Sequence, residues 1–233
     1  MRLIDSQISS LCRGTVPSEI RALYSQFGVD LPATIAPMIE PFDVALINPA
    51  SLDIRIGTNI KVMKAIGWIQ QLIYFLRHGR FLAPEFLEVD LSEYTEGLPY
   101  WIYPGDRLLA ASLETFKLPS FLTGTFKSTM TTIKFFKTGV MEVPISSVCI
   151  WDKLKSSRGR EFWQHIMAGF ADPGWNGSKL TMELINLSCS PLPIYPGLKI
   201  GQVCFDMTFG TPVADYSLTG RYNGDVVAAE SKG

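Results

Sequence analysis

Ala168-Gly169-Phe170-Ala171-Asp172-Pro173-Gly174-Trp175-Asn176-Gly177 and, two residues on, Leu180-Thr181-Met182-Glu183-Leu184-Ile185-Asn186 decide the fold. Asp-Pro-Gly is turn chemistry: proline presets φ, and glycine accepts the positive φ that other residues resist. The run that follows alternates, so Met182 and Leu184 share one face of a strand and Glu183 takes the other. A carboxylate on an apolar strand is costly unless it is paired or used. Glu183 therefore sits either on the solvated face of an edge strand or in a site, as a general base that activates water.

The same punctuation recurs outward from this stretch. Tyr103-Pro104-Gly105-Asp106, Pro119, Pro144 and Pro196-Gly197 separate short strand-like runs from Tyr100 onward. Strands at this spacing predict an all-β fold of the barrel or jelly-roll type. Upstream, Ser51-Leu52-Asp53-Ile54-Arg55-Ile56 alternates as a half-buried strand does. Residues 1–30 predict two surface helices, opened by Asp5-Ser6 and by Pro17-Ser18-Glu19. Pro32, Pro37 and Pro41 mark an extended connection after them. Apolar residues at 62, 66, 69, 72, 73 and 76 predict one amphipathic helix over 61–82, inserted into an otherwise β chain. No repeat or linker divides residues 1–233, so a single domain is expected.

Composition narrows the partners. A chain with 21 Lys and Arg against 22 Asp and Glu, and no basic run, offers no electrostatic footprint for a nucleic acid polymer. A free nucleotide needs only a few placed cations. Mean hydropathy of +0.17 leaves apolar surface that an oligomer interface would cover. Cys12, Cys149, Cys189 and Cys204 form no C-x-x-C pair, and Met1-Arg2-Leu3-Ile4-Asp5 has no apolar signal core. Free thiols in the cytoplasm are the expectation. The apolar stretch from Val62 to Leu82 carries Lys64, Gln70, Gln71, Arg77, His78 and Arg80, too many polar groups for a membrane span.

Two further segments bear on chemistry. In Lys155-Ser156-Ser157-Arg158-Gly159-Arg160, two hydroxyls stand between cations beside a glycine. That set suits phosphate oxygens, and it equally suits a polar surface loop. Tyr216 and Thr219-Gly220-Arg221-Tyr222-Asn223-Gly224 suit an arm that closes over a ligand, or a plain chain end.

The order and spacing of these segments resemble the dCTP deaminase family of the dCTP deaminase/dUTPase superfamily. Lys155 to Arg160 resembles its [RK]-S-S-x-[GA]-R segment, and His165 to Gly177 its H-x-x-A-G-F-x-D-P-G-[FW]-x-G segment. Thr181 to Asn186 is similar to a T-L-E-L-x-N strand, and Pro196 to Gln202 to P-G-x-x-I-G-Q. Pro49 to Ile56 and Pro104 to Pro119 match two upstream family segments, and Arg221 to Asp225 resembles the family's K-Y-x-G-Q arm with Asp225 in place of Gln. Lys127-Ser128-Thr129-Met130 also resembles the start of the phosphate motif but offers no arginine. The motif is therefore assigned to 155–160, and 127–153 is read as an inserted hairpin.

The resemblance implies a distorted β-barrel assembled as a homotrimer, with active sites shared between subunits. It implies hydrolytic deamination of dCTP to dUTP and ammonia. The alternatives are a bifunctional enzyme that carries dCTP to dUMP and pyrophosphate, and a silent nucleotide-binding trimer. Glu183 would be the proton shuttle, Arg160 would orient it and the reacting water, and Ser156 would hold the water or amino group. Lys155, Ser156 and Ser157 would meet phosphates, and Arg158, Gly159, Thr181 and Met182 would contact the substrate. Ala168 and its neighbours would line the base pocket through backbone contacts, and Asp172 would sit at the sugar. Gln202, Tyr216 and Arg221 would bind the triphosphate, with Mg²⁺ bridging its oxygens and no metal ligand from side chains. Zinc chemistry would need H-x-E and P-C-x-x-C. His78 and His165, the two histidines, stand in neither pattern.

Overall fold

The computed structural model describes residues 1–64, 66–128, 162–164, 169–186, 189–210 and 212–228. The described chain is strand-rich. One sheet takes β1 (Ile39–Glu40), β2 (Ile47–Asn48), β3 (Ser51–Met63), β4 (Phe86–Asp90), β6 (Arg107–Lys117), β7 (Leu122–Ser128), β8 (Phe162–Gln164), β9 (Phe170–Ala171), β10 (Asn176–Asn186) and β12 (Lys199–Met207). Its main path runs β8-β10-β6-β3-β12-β7-β9, and the sheet curls into a half-barrel. A second sheet pairs β5 (Tyr100–Ile102) with β11 (Leu192–Ile194). The strand pairings among the described residues are all antiparallel, as short strands joined by tight turns require.

Alternation builds the core. Leu52, Ile54, Ile56 and Ile60 of β3, Leu180, Met182 and Leu184 of β10, and Val203 and Phe205 of β12 are buried in one cluster. At Gly57 an added Cβ would lie 2.9 Å from the Ser112 carbonyl, so glycine lets β3 cross β6 at a bulge in their register. Helices α1 (Asp5–Cys12) and α2 (Ser18–Ser25) close one side of the cluster with Ile8, Leu11, Ile20 and Tyr24. The Tyr24 hydroxyl meets the carbonyls of Phe121 and Thr208, tying α2 to both β7 and β12 at their ends.

One charged pair lies inside. Glu114 on β6 is fully buried and accepts from the Arg55 backbone N–H at 3.0 Å and from Arg55 Nε at 2.7 Å. Both carboxylate oxygens are thus satisfied, which is the condition for keeping a charge in a core.

Three expectations need new bounds. The helix expected over 61–82 is α3, Trp68–His78. Lys61 to Met63 instead finish β3, because its ladder with β4 runs out to Met63↔Phe86. Lys127 and Ser128, read as the start of an inserted hairpin, are the last residues of β7. Their ladder with β12 makes them part of the sheet. The rest of 127–153 lies outside the described residues. The C-terminal stretch contains a short helix, α4 (Tyr216–Thr219), folded against the body rather than trailing from it.

Candidate active site

β10 is shaped by its bulge. Between Lys179 and Thr181 its register against β6 shifts, and the Leu180 N–H that would lose its ladder partner donates instead to Ser112 Oγ at 2.8 Å. Ser112 in turn donates to the Glu114 carbonyl at 2.6 Å. The alternation of β10 keeps its phase through this bulge, with Ser178, Leu180, Met182 and Leu184 all buried. Glu183 stands exposed between buried Met182 and Leu184, opposite Leu109 on β6. The alternation read from the sequence holds here. Met182 is buried to 1% exposure, so only its backbone could meet a ligand, and Thr181 lies beside it, half-buried.

A polar row crosses three other strands. Lys127 on β7, Gln202 on β12 and Asp53 on β3 are direct cross-strand partners in register and so share one face. Gln202 Nε2 donates to Asp53 Oδ1 at 3.0 Å. Asn48 Nδ2 donates to the same oxygen at 2.8 Å, and Lys199 Nζ donates to Asp53 Oδ2 at 3.0 Å. Asp53 thus anchors two amides and one ammonium beside the exposed Lys127. Cation, amide and ammonium on one face are the donor set an oxyanion chain would use. The sequence analysis named Gln202 for the triphosphate, took Lys127 as the edge of an insertion, and gave Asp53 and Lys199 no role. The cross-strand register that unites them is not written in any local motif.

The third group gathers at the turn before β10. Asp172 is exposed there, and Tyr216 of α4 lies beside it. The Tyr216 backbone N–H donates to the Pro173 carbonyl at 3.0 Å, and its ring stacks on Trp175 with centroids 5.1 Å apart and planes 6° from parallel. Burial pushes the Tyr216 phenol upward, and the carboxylates of Asp172 and Asp225 add to that. The arm continues along the strand: Lys179 N–H donates to the Asp225 carbonyl at 2.7 Å, Gly224 N–H to Asn176, and Ser178 Oγ to Tyr222. Gly174 has φ +84°, and a Cβ there would collide with the Asp215 carboxylate. Arg221 is exposed on the arm.

β6 and β3 lie between β10 and β12, so the path along the curled sheet from Glu183 to Gln202 crosses three strand spacings, about 14 Å at roughly 4.8 Å each. Seven residues of extended β10 separate Glu183 from Asn176 at the turn, roughly 20 Å. Lys155, Ser156, Ser157, Arg158, Gly159, Arg160 and Ala168 lie outside the described residues. Among the described residues no three His, Cys, Asp or Glu side chains converge as a metal site.

A family model described as dCTP deaminase-like matches residues 29–137 and 146–208. A protein of Corynebacterium efficiens named dCTP deaminase, dUMP-forming, is 30% identical over 202 residues, covering 84% of this chain and 85% of that relative. The protein of the same name from Mycobacterium ulcerans is 30% identical over 170 residues, covering 71% of this chain and 70% of its own. A crystal structure of 2'-deoxycytidine 5'-triphosphate deaminase from Agrobacterium tumefaciens aligns with a TM-score of 0.46 at 17% identity, over 89% of this chain and 48% of that one.

Proposed function

This chain belongs to the dCTP deaminase-like family, and from that membership we propose that it converts dCTP and two waters into dUMP, pyrophosphate and ammonia. The relatives' shared name, dUMP-forming, favours this over a reaction that stops at dUTP. The observation that carries the deamination is Glu183, an exposed carboxylate held rigidly between two buried residues of a central strand. In this reading Glu183 takes a proton from water, and that water attacks the pyrimidine carbon bearing the amino group. The proton is then delivered to the departing ammonia. Arg160 orients the water and Glu183, and Ser156 holds the water or amino group. Lys155, Ser156 and Ser157 contact phosphate, and Arg158 and Gly159 contact the substrate.

The Lys127–Gln202–Asp53 row and Lys199 receive the triphosphate, whose charge Mg²⁺ would offset when bound to the nucleotide. Asp172 meets the sugar, while Tyr216 and Arg221 close from the arm. The resemblance to the family supports sites completed between subunits of a homotrimer, three copies of 25.9 kDa or about 78 kDa in all.

Incubating the chain with dCTP, dUTP and CTP plus Mg²⁺, and resolving products by chromatography, tests the reading. Formation of dUMP and pyrophosphate from dCTP, with CTP untouched, supports it. Accumulation of dUTP would move the reading to the deaminase alone, and no turnover at all would leave a nucleotide-binding trimer. Light scattering during gel filtration tests the trimer.

A further inference from the structure

Helix α3 sits at the tip of the projection formed by β3 and β4, and it buries none of its residues. Helical spacing puts Trp68, Leu72 and Leu76 in one row and Ile69 and Ile73 in the next, with Phe75 flanking them. Trp68 and Leu76 are 73% and 74% exposed. The face is preformed. The Gln71 side-chain amide makes both hydrogen bonds to the Leu82 backbone, at 3.2 and 2.9 Å. Phe81 stacks on Phe75 with centroids 4.8 Å apart and so joins the same apolar surface, itself 69% exposed. A contiguous apolar surface of this kind marks a docking site.

Its charge says what docks. Between Lys64 and Glu85 the sequence holds Arg77 and Arg80 and no Asp or Glu. The nearest acids are engaged: Glu85 pairs with Lys64 and Glu88 with Lys61, each at 3.2 Å. Arg77 and Arg80 form no ion pair among the described residues. We infer that α3 and Phe81 form a docking surface for an anionic lipid bilayer, with the helix lying in the plane of the membrane interface. Tryptophan, phenylalanine and leucine on one face, with arginines and no acid, is the pattern such helices use. At eleven residues, about 16 Å, α3 is far too short to span a hydrocarbon core of about 30 Å. A second copy meeting the same face would set Arg77 and Arg80 against their own like charges, which disfavours that occupant.

Flotation of the full chain with vesicles of phosphatidylcholine, with and without phosphatidylglycerol, tests this. The chain is expected to float with the anionic vesicles and to stay below with the neutral ones. Each arginine near such a surface strengthens binding about fivefold, so Arg77→Gln with Arg80→Gln is expected to weaken it about 25-fold. Leu72→Glu with Leu76→Glu is expected to abolish flotation while circular dichroism and solution mass stay unchanged. Flotation with neither vesicle, equal flotation with both, or flotation that survives the Leu72→Glu/Leu76→Glu change would overturn the inference. So would a fall in solution mass in that variant, which would assign the face to another copy of the chain.

Discussion

Glu114 and Glu183 lie on neighbouring strands of one sheet, and the same side chain meets opposite fates there. Glu114 is fully buried, and both its oxygens are taken by Arg55. Glu183 stands exposed between two buried neighbours on β10. The first carboxylate is spent on holding β6 against β3. The second takes the exposed face of its strand. A carboxylate's burial is therefore set by which face of the pleat it takes, and the alternation of β10, unbroken from Ser178 to Asn186, puts Glu183 on the exposed one.

That contrast can be broken by substitution. Glu183→Gln is expected to lower kcat for dCTP by roughly 10³-fold, the scale of a lost general base. Its thermal midpoint should stay within a degree or two of the parent, and a comparable loss of stability would reassign Glu183 to the framework. Glu114→Ala should do the reverse. Removing one partner of a buried ion pair costs about 3 kcal/mol, at the lower end because Arg55 is 18% exposed. For a chain of this size that is a fall in Tm of roughly 6–12 °C, read by calorimetry.

The polar row gives an intermediate effect. Lys127→Ala and Gln202→Ala each remove a donor proposed for a charged phosphate, about 1.5–3 kcal/mol, and KM for dCTP should rise roughly 10- to 100-fold with kcat little changed. Steady-state kinetics separates this from the Glu183 effect, and an unchanged KM would remove the row from the site. The smallest effect belongs to the arm. Trp175→Leu loses an aromatic stack worth about 1 kcal/mol, so KM should rise about fivefold, and limited proteolysis between 212 and 228 should quicken.

Local signals were legible in the sequence and long-range ones were not. The turn at Asp172-Pro173-Gly174 and the alternation around Glu183 each depend on residues within a few positions, and both stand in the structure. The amphipathic period of α3 was readable too, but its bounds were not, because the β3–β4 ladder competes for residues 61–63. The burial of Glu114 had no local sign, since Arg55 lies 59 positions away. The Lys127–Gln202–Asp53 row depends on the pairing of three distant strands, and in the sequence Lys127 looked like the edge of an insertion.

Gly174 makes the turn and the C-terminal arm a single heritable trait. Its missing β-carbon is the space that the Asp215 carboxylate occupies. Any other residue at 174 would displace the Asp215 carboxylate, and the φ of +84° would oppose the change even without the arm. Drift in either segment is thus judged by its effect on the other. A lineage that rebuilt the arm would be free to lose this glycine only if it first found another way to make the turn.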